Sequence, residues 1–252
     1  MHSANAQGAI AVTGTSRGIG AAIALELARR GFVVGCLSRG GRSFLDEPAP
    51  DDDLRPRLLE ETCDVTDEAA IRRALHAVAE RGGGLCGLVN NAGVHLIGPA
   101  AEFSTADFQQ VLSTNLTGVF VACREAYPLL RAQGGGLIVN IGSFFGRLGV
   151  RHTAAYCASK AGLSGLTRSL AVEWGPEGIA VLNLAPGYVE TEISRKWLHK
   201  DWARERILAR IPAGRPPTGE AVARLVAAFY AERLPYLTGE TIYMDGGLSV
   251  SH

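Results

Sequence analysis

Short apolar runs alternate along the chain with stretches whose apolar residues recur every three or four positions. The runs Ala9–Thr13, Phe32–Leu37, Leu58–Asp64, Leu85–Asn90, Leu137–Ile141, Val181–Ala185 and Glu240–Met244 have strand length. They read as apolar on both faces, as strands covered by helices require. The helical periods fall between them. Gly18–Arg30 stops at Gly31, a residue suited to a helix end. Thr66 can cap Asp67–Arg81, with Gly82 ending it, and Ser104 can cap a long helix to about Arg131. Thr153–Trp174 follows the fifth run, and Thr218 can cap Gly219–Glu232.

Two segments break the pattern. Gly40–Arg57 contains Pro48, Pro50 and Pro56 with an Asp51–Asp53 run, and it predicts irregular backbone. Glu192–Arg210 is helical in period but carries Trp197 and Trp202, and the region of about 188–215 is expected to form a flap. Strands alternating with helices imply right-handed crossovers and a mostly parallel α/β sheet of about seven strands, doubly wound in the Rossmann manner. No linker-like stretch divides the chain, so residues 1–252 are expected to be one domain. In such folds ligands bind beyond the carboxyl ends of the strands.

Composition narrows the partners. Lys plus Arg and Asp plus Glu are both 25, giving a net charge of zero. A nucleic-acid or membrane-surface partner would favour a basic excess, so neither is expected. The five cysteines have no C-x-x-C spacing and sit mostly in apolar runs, which points to free thiols in a reducing compartment. The first residues, Met1 to Gln7, are polar and small, and no run approaches 18 apolar residues. A cytoplasmic location is therefore expected. No His/Cys/Asp set has metal-ligand spacing, so no catalytic metal is expected.

The first strand runs into Thr13-Gly14-Thr15-Ser16-Arg17-Gly18-Ile19-Gly20. Glycines allow a tight turn and close backbone approach to a pyrophosphate, and the helix that begins near Gly18 would aim its N–H groups at that anion. A glycine-rich turn with no ligand is the plainer alternative. The spacing is G-x-x-x-G-x-G, which is neither G-x-G-x-x-G nor a P-loop.

This segment, with Cys63-Asp64-Val65, Asn90-Asn91-Ala92-Gly93, Tyr156-Cys157-Ala158-Ser159-Lys160 and Pro186-Gly187, resembles the short-chain dehydrogenase/reductase family in its short single-domain branch. Asn115 and Ser143 also fall where that family keeps its other two catalytic residues. The resemblance spans nearly the full chain and implies Asn115, Ser143, Tyr156 and Lys160 as the catalytic set. It implies a dinucleotide site built from Gly14, Ser16, Arg17, Gly18, Ile19, Gly20, Ser38, Arg39, Asp64, Val65, Asn91, Ala92, Gly93, Tyr156, Lys160, Pro186, Gly187, Val189 and Thr191. Within it, Asp64 would accept from the adenine amino group while Val65 packs on the ring. Asn91 and Gly93 would flank the adenosine ribose, and Lys160 would hold the nicotinamide ribose. Thr191 would contact the carboxamide.

Cofactor choice can be read from the end of the second strand. An NAD site places a carboxylate there, about 20 residues after the glycines. Between Glu26 and Asp46 there is none, while Arg39 follows Ser38 and Arg17 projects from the glycine loop. Arginine forks suit a 2′-phosphate, so NADP(H) is the expected cofactor, with NAD(H) as the alternative.

Tyr156 and Lys160 are four apart, which on a helix places them on one face. A free phenol has a pKa near 10, and a nearby ammonium is expected to lower it. Tyr156 would then exchange a proton with the substrate oxygen, Ser143 would hydrogen-bond that oxygen, and Asn115 would bind a water that joins Lys160 to solvent. His95, Ser143, Phe144, Phe145 and Tyr188 are the candidate substrate contacts, beside Ile97, Arg147, Ile193, Trp197 and Trp202. Such a lining suits an acyl, cyclic or aryl carbonyl compound or its alcohol, and core or subunit contacts are the alternative for each residue.

The overall pattern is similar to that of β-ketoacyl-acyl-carrier-protein reductases. An acidic carrier would want basic residues at the entrance, and Gln133–Gly136 and Ala171–Trp174 supply none. A reductase of free ketones, sugars or polyols fits equally, and a catalytically silent dinucleotide sensor is the reading from another class. The resemblance also implies a homotetramer or homodimer packed through the Ser104–Arg131 and Thr153–Trp174 helices.

Overall fold

The computed structural model describes residues 8–44, 50–189, 208–232, 234 and 236–251. Among these, seven strands form one sheet in the order β3-β2-β1-β4-β5-β6-β7, all parallel. They are β1 (Ala9–Thr13), β2 (Val34–Ser38), β3 (Leu58–Thr62), β4 (Leu85–Asn90), β5 (Gly136–Ile141), β6 (Ile179–Pro186) and β7 (Thr241–Met244). Strand order reverses between β1 and β4, which opens a crevice at their carboxyl ends.

The helices are α1 (Gly18–Arg29), α2 (Glu68–Gly82), α3 (Thr105–Leu112), α4 (Gly118–Ala132), α5 (Ala154–Trp174) and α6 (Gly219–Glu232). α1 and α6 cover one face of the sheet, sharing a core with Ile10, Val12, Val139 and Leu182. α2, α4 and α5 cover the other, around Leu88, Ile138, Leu163 and Val181. Neighbouring residues of one strand thus feed opposite cores, which is why the strands read as unbroken apolar runs.

Local chemistry accounts for the boundaries. Ser104 accepts from the Asp107 N–H at 3.0 Å, as its position predicts. Thr66 does not cap α2. Asp67 does, accepting from Ala69 and Ala70 N–H at 2.9 and 3.2 Å, because a carboxylate one residue closer reaches both donors. Gly83, at φ +73°, ends that helix in the left-handed conformation. Between α3 and α4 the ladder widens into a π-turn at Ser113–Thr117, a feature that periodicity cannot reveal.

The described part of Gly40–Arg57 has no helix beyond a 3-10 turn at Arg55–Arg57. It is nevertheless tied down. Phe44 is buried at φ +63°, its N–H donates to Thr15 O at 3.1 Å, and Glu60 Oε1 accepts from Ser43 N–H at 2.6 Å. Most of the expected flap, including Thr191, Ile193, Trp197 and Trp202, lies outside the described residues.

Candidate active site

Two loops meet at the crevice. Thr13 closes β1, and its hydroxyl oxygen accepts from the N–H groups of Asn91 and Ala92, both at 3.0 Å. Asn91 answers from the loop after β4, donating Nδ2 to Thr13 O and Gly14 O at 3.0 and 3.2 Å. The contact leaves no room for side chains. A Cβ on Gly14, already at φ +74°, would lie 2.9 Å from Ala92 Cα, and one on Gly20 would lie 2.3 Å from Gly14 O. Thr13 was not among the sequence candidates. Its signal is a hydroxyl residue closing an apolar strand just before the glycines.

Above this corner the first turn of α1 has no side-chain cap and no acidic residue, and Gly18 takes φ +60°. Its N–H groups therefore offer a positive helix end to an anion. Arg17 is exposed at the N-cap, and Arg39 is exposed just past β2. Ser38 is buried, and its hydroxyl donates to Arg42 O at 2.9 Å, closing the turn after β2. The Asp64 carboxylate accepts from Thr66 N–H and Oγ1 at 2.9 and 2.8 Å, and these bonds, with the Arg39 charge, hold it below the usual carboxylate range. The glycine cradle, the uncapped helix end and the exposed arginines fit a dinucleotide phosphate. Glu60, on β3, accepts from Ser43 N–H through Oε1.

The catalytic candidates converge at the ends of β5 and α5. Ser143 follows β5, where its side chain accepts from Phe145 N–H at 3.3 Å, and it lies near enough to the Tyr156 phenol to favour the phenolate. Lys160 lies one turn beyond Tyr156, with Nζ 5.6 Å from the centre of its ring. The ammonium is buried and donates to Ile141 O at 2.7 Å. Gly146 lets this turn approach α5, since a Cβ there would lie 2.8 Å from Lys160 O.

One electrostatic expectation is corrected. Burial pushes the Tyr156 phenol up to about 12, against the opposing influence of Ser143. Burial also brings Lys160 down to about 8. Desolvation is the largest influence on the phenol, and the ammonium is held by the Ile141 carbonyl.

Asn115 sits in the π-turn, fully buried, and its amide is bonded within the protein. Its Oδ1 accepts from Val94 N–H at 2.8 Å, and its Nδ2 donates to Val94 O at 2.9 Å and to Ser159 Oγ at 3.2 Å. Ser159 donates to Tyr156 O at 2.8 Å. Asn115 therefore ties the loop after β4 to α5 beneath Tyr156. Its side chain is a brace here.

Five rings, Phe145 among them, form one cluster. Phe145 is the hub, edge-on to His95 at 5.7 Å, to Phe144 at 4.6 Å, to Tyr156 at 5.4 Å and to Tyr188 at 6.3 Å between centroids. The His95 ring lies over Tyr156 at 4.3 Å, tilted by 32°. Burial and the Lys160 charge both lower the His95 pKa, so its imidazole is neutral at pH 7. All five substrate candidates thus gather at one place. Arg147 instead lies over the Tyr243 ring at 5.2 Å, away from this cluster. Pro186 ends β6, and Gly187 packs on Asp245, where a Cβ would lie 2.9 Å from its Cα. Val189 is buried in the core of the α1 face. Among the described residues, no group of three or more His, Cys, Asp or Glu side chains could hold a metal ion.

The model of the family described as enoyl-(acyl carrier protein) reductase matches residues 14–249. The 3-oxoacyl-[acyl-carrier-protein] reductase of Escherichia coli is 37% identical over 247 residues, covering 97% of this chain and 98% of that protein. A putative short-chain alcohol dehydrogenase from Sinorhizobium meliloti superposes with a TM-score of 0.89 at 34% identity, over 96% of each chain. A putative 2-deoxy-D-gluconate 3-dehydrogenase from Agrobacterium tumefaciens, solved with bound NADP, gives 0.82 at 33% identity, over 96% of this chain and 97% of that one.

Proposed function

The chain belongs to the short-chain dehydrogenase/reductase family, and from that premise we propose that it is an NADP(H)-dependent reductase of ketones and dehydrogenase of secondary alcohols. The observation that carries this reading is Ser143 beside the Tyr156 phenol, one turn from a buried Lys160, in a chain whose β1 runs into a glycine cradle. When bound, the reduced nicotinamide supplies the hydride. The residues of this chain handle the oxygen and the proton.

Ser143 donates to the carbonyl oxygen and fixes it beside Tyr156. The phenol, held protonated by its burial, gives its proton to the oxygen as negative charge develops there. Lys160 stabilises the resulting phenolate, and the Asn115 brace holds the π-turn through which the proton is replaced. In alcohol oxidation the same groups act in reverse. Gly14, Ser16, Gly18, Ile19 and Gly20 would cradle the pyrophosphate, and Arg17 and Arg39 the 2′-phosphate. Ser38 would shape the turn that carries Arg39. Asp64, Val65, Asn91, Ala92 and Gly93 would line the adenosine, with Pro186, Gly187, Val189 and Thr191 beside the nicotinamide.

His95, Phe144, Phe145 and Tyr188 would form an aromatic wall that receives a cyclic, aryl or acyl group. A pair that addresses oxygen favours reduction of C=O over C=C. A 3-oxoacyl thioester is the second substrate class, favoured by the likeness to the Escherichia coli protein. A silent NADP(H) sensor is the reading that retained Ser143, Tyr156 and Lys160 disfavour.

The chain would act in the cytoplasm as one domain spanning 1–252. Its zero net charge suits neither nucleic acid nor a membrane surface, and among the described residues no helix is long and apolar enough to cross a membrane. A homotetramer or homodimer is supported by small or apolar exposed positions along α5, namely Ala158, Ala161, Gly165 and Val172, and by exposed Phe120 on α4. The test is a fluorescence titration with NADPH and NADH, followed by turnover on ketones, polyol-derived ketoses and β-ketothioesters. Tighter NADPH binding with oxidation on a ketone is expected. NADH preference would reject the cofactor assignment, and NADPH binding without turnover on any class would favour the sensor.

A further inference from the structure

Four neighbouring strands carry a polar side chain at one level of the sheet. Asn90 of β4 is in register with Asn140 of β5, Asn140 with Asn183 of β6, and Asn183 with Thr241 of β7. Side chains in one such row project from the same face. Here the face is the one that α5 covers, and the three asparagines are at most 3% exposed.

The row is bonded across and upward. Asn90 Nδ2 donates to Asn140 Oδ1 at 2.9 Å, and Asn140 Nδ2 donates to Thr167 Oγ1 of α5 at 3.0 Å. Asn183 Nδ2 reaches both Ser164 Oγ of α5 and Thr241 Oγ1 at 3.2 Å. The Thr241 hydroxyl also donates to Ser164 Oγ at 3.2 Å. Tyr156, Lys160, Ser164 and Thr167 follow one another at spacings of four, four and three, so they form one stripe of α5. The polar row and the reacting side chains therefore share a single rigid helix face. Lys160 adds a third tether, donating to Ile141 O, the carbonyl next after Asn140.

The row also abuts the end of β5 that delivers Ser143. A Cβ on Gly142 would lie 2.5 Å from Asn183 Oδ1, an oxygen with no hydrogen-bond partner of its own among the described atoms. Buried amides add little net stability over an apolar core of the same shape. They do specify one arrangement, because a donor and acceptor hold their separation where apolar surfaces tolerate sliding.

We propose that Asn140 and Asn183 are positioning residues that index α5 on the sheet through Thr167 and Ser164, so that Tyr156 and Lys160 stand at a fixed place beside Ser143. This rests on the reading in which those three side chains perform the chemistry. A helix displaced by about 1 Å would cost on the order of a hundredfold in turnover while leaving the fold intact.

Thr167→Val keeps the shape and removes the hydroxyl, Thr167→Ser keeps the hydroxyl, and Asn140→Leu with Thr167→Val removes both partners together. NADPH affinity and ketone turnover of the wild type are measured alongside, which separates a defect of the row from a failure of the reading it rests on. Thr167→Val is expected to lose at least about tenfold in kcat with KM and NADPH affinity unchanged, while Thr167→Ser stays within about twofold. The paired variant also removes the acceptor of Asn90 Nδ2, and it is expected to stay as low in kcat as Thr167→Val. Wild-type kcat in Thr167→Val and in the paired variant, with only melting temperature altered, would overturn the proposal.

Discussion

Tyr156 and Lys160 show how one residue's surroundings set its chemistry. Tyr156→Phe removes a single hydroxyl and leaves the ring between His95 and Phe145. Turnover should fall by about 10²–10⁴-fold with NADPH affinity retained, as steady-state kinetics and fluorescence titration would read. Lys160 gives a pH prediction. Its value in the folded protein, about 8, lies below the ordinary 10.5. Between those limits the unfolded chain binds more protons, so the Lys160 contribution to stability rises with pH. Denaturant unfolding of the wild type against Lys160→Met should therefore shift in favour of the wild type from pH 8 to 10.5, by at most about 3 kcal/mol. A difference that is flat across that window would mean Lys160 is not desolvated. Reduction should also slow as pH rises through about 8, when the ammonium that supports the phenolate is lost.

At the scale of elements, the site is a set of chain ends held by short bonds. The β1 and β4 loops are latched by Thr13 and Asn91, and α1 seats against the glycine loop where Gly20 meets Gly14. Gly20→Ala forces a methyl to within 2.3 Å of a backbone oxygen and must push helix and loop apart. A loss of about 1–3 kcal/mol in chemical denaturation is expected, with NADPH affinity weakened at least about tenfold in fluorescence titration. Unchanged affinity would place the phosphate elsewhere. These latches were only partly legible beforehand. The glycines announced a tight corner, but the Thr13 hydroxyl and the commitment of the Asn115 amide to Val94 depend on loops 21 to 79 residues apart in the chain.

For the whole molecule, α4 and α5 present exposed apolar positions to solvent, with Arg124 lying over the Phe120 ring. Val172 is 81% exposed and Phe120 is 41% exposed. If subunits pair through these helices, Val172→Arg places an unpaired charge in each interface. Light scattering should then show a smaller assembly than the wild type. A wild type that is already monomeric would remove the proposed interface.

The candidate reacting side chains came from the family resemblance, and the sequence alone determined the alternation of strands and helices, the parallel sheet and the glycine corner. Each depends on patterns within about twenty residues, where the periods of strand and helix and the needs of a turn act directly. Tertiary structure decided the rest. It reversed the direction of the Tyr156 shift, because burial is a property of the packed site and outweighed a neighbour four residues away. It made the Asn115 side chain a brace between Val94 and Ser159, and it aligned Asn90, Asn140, Asn183 and Thr241 in one row. Such pairings are set by sheet register and helix docking, and residues so far apart in the chain carry no local mark of them.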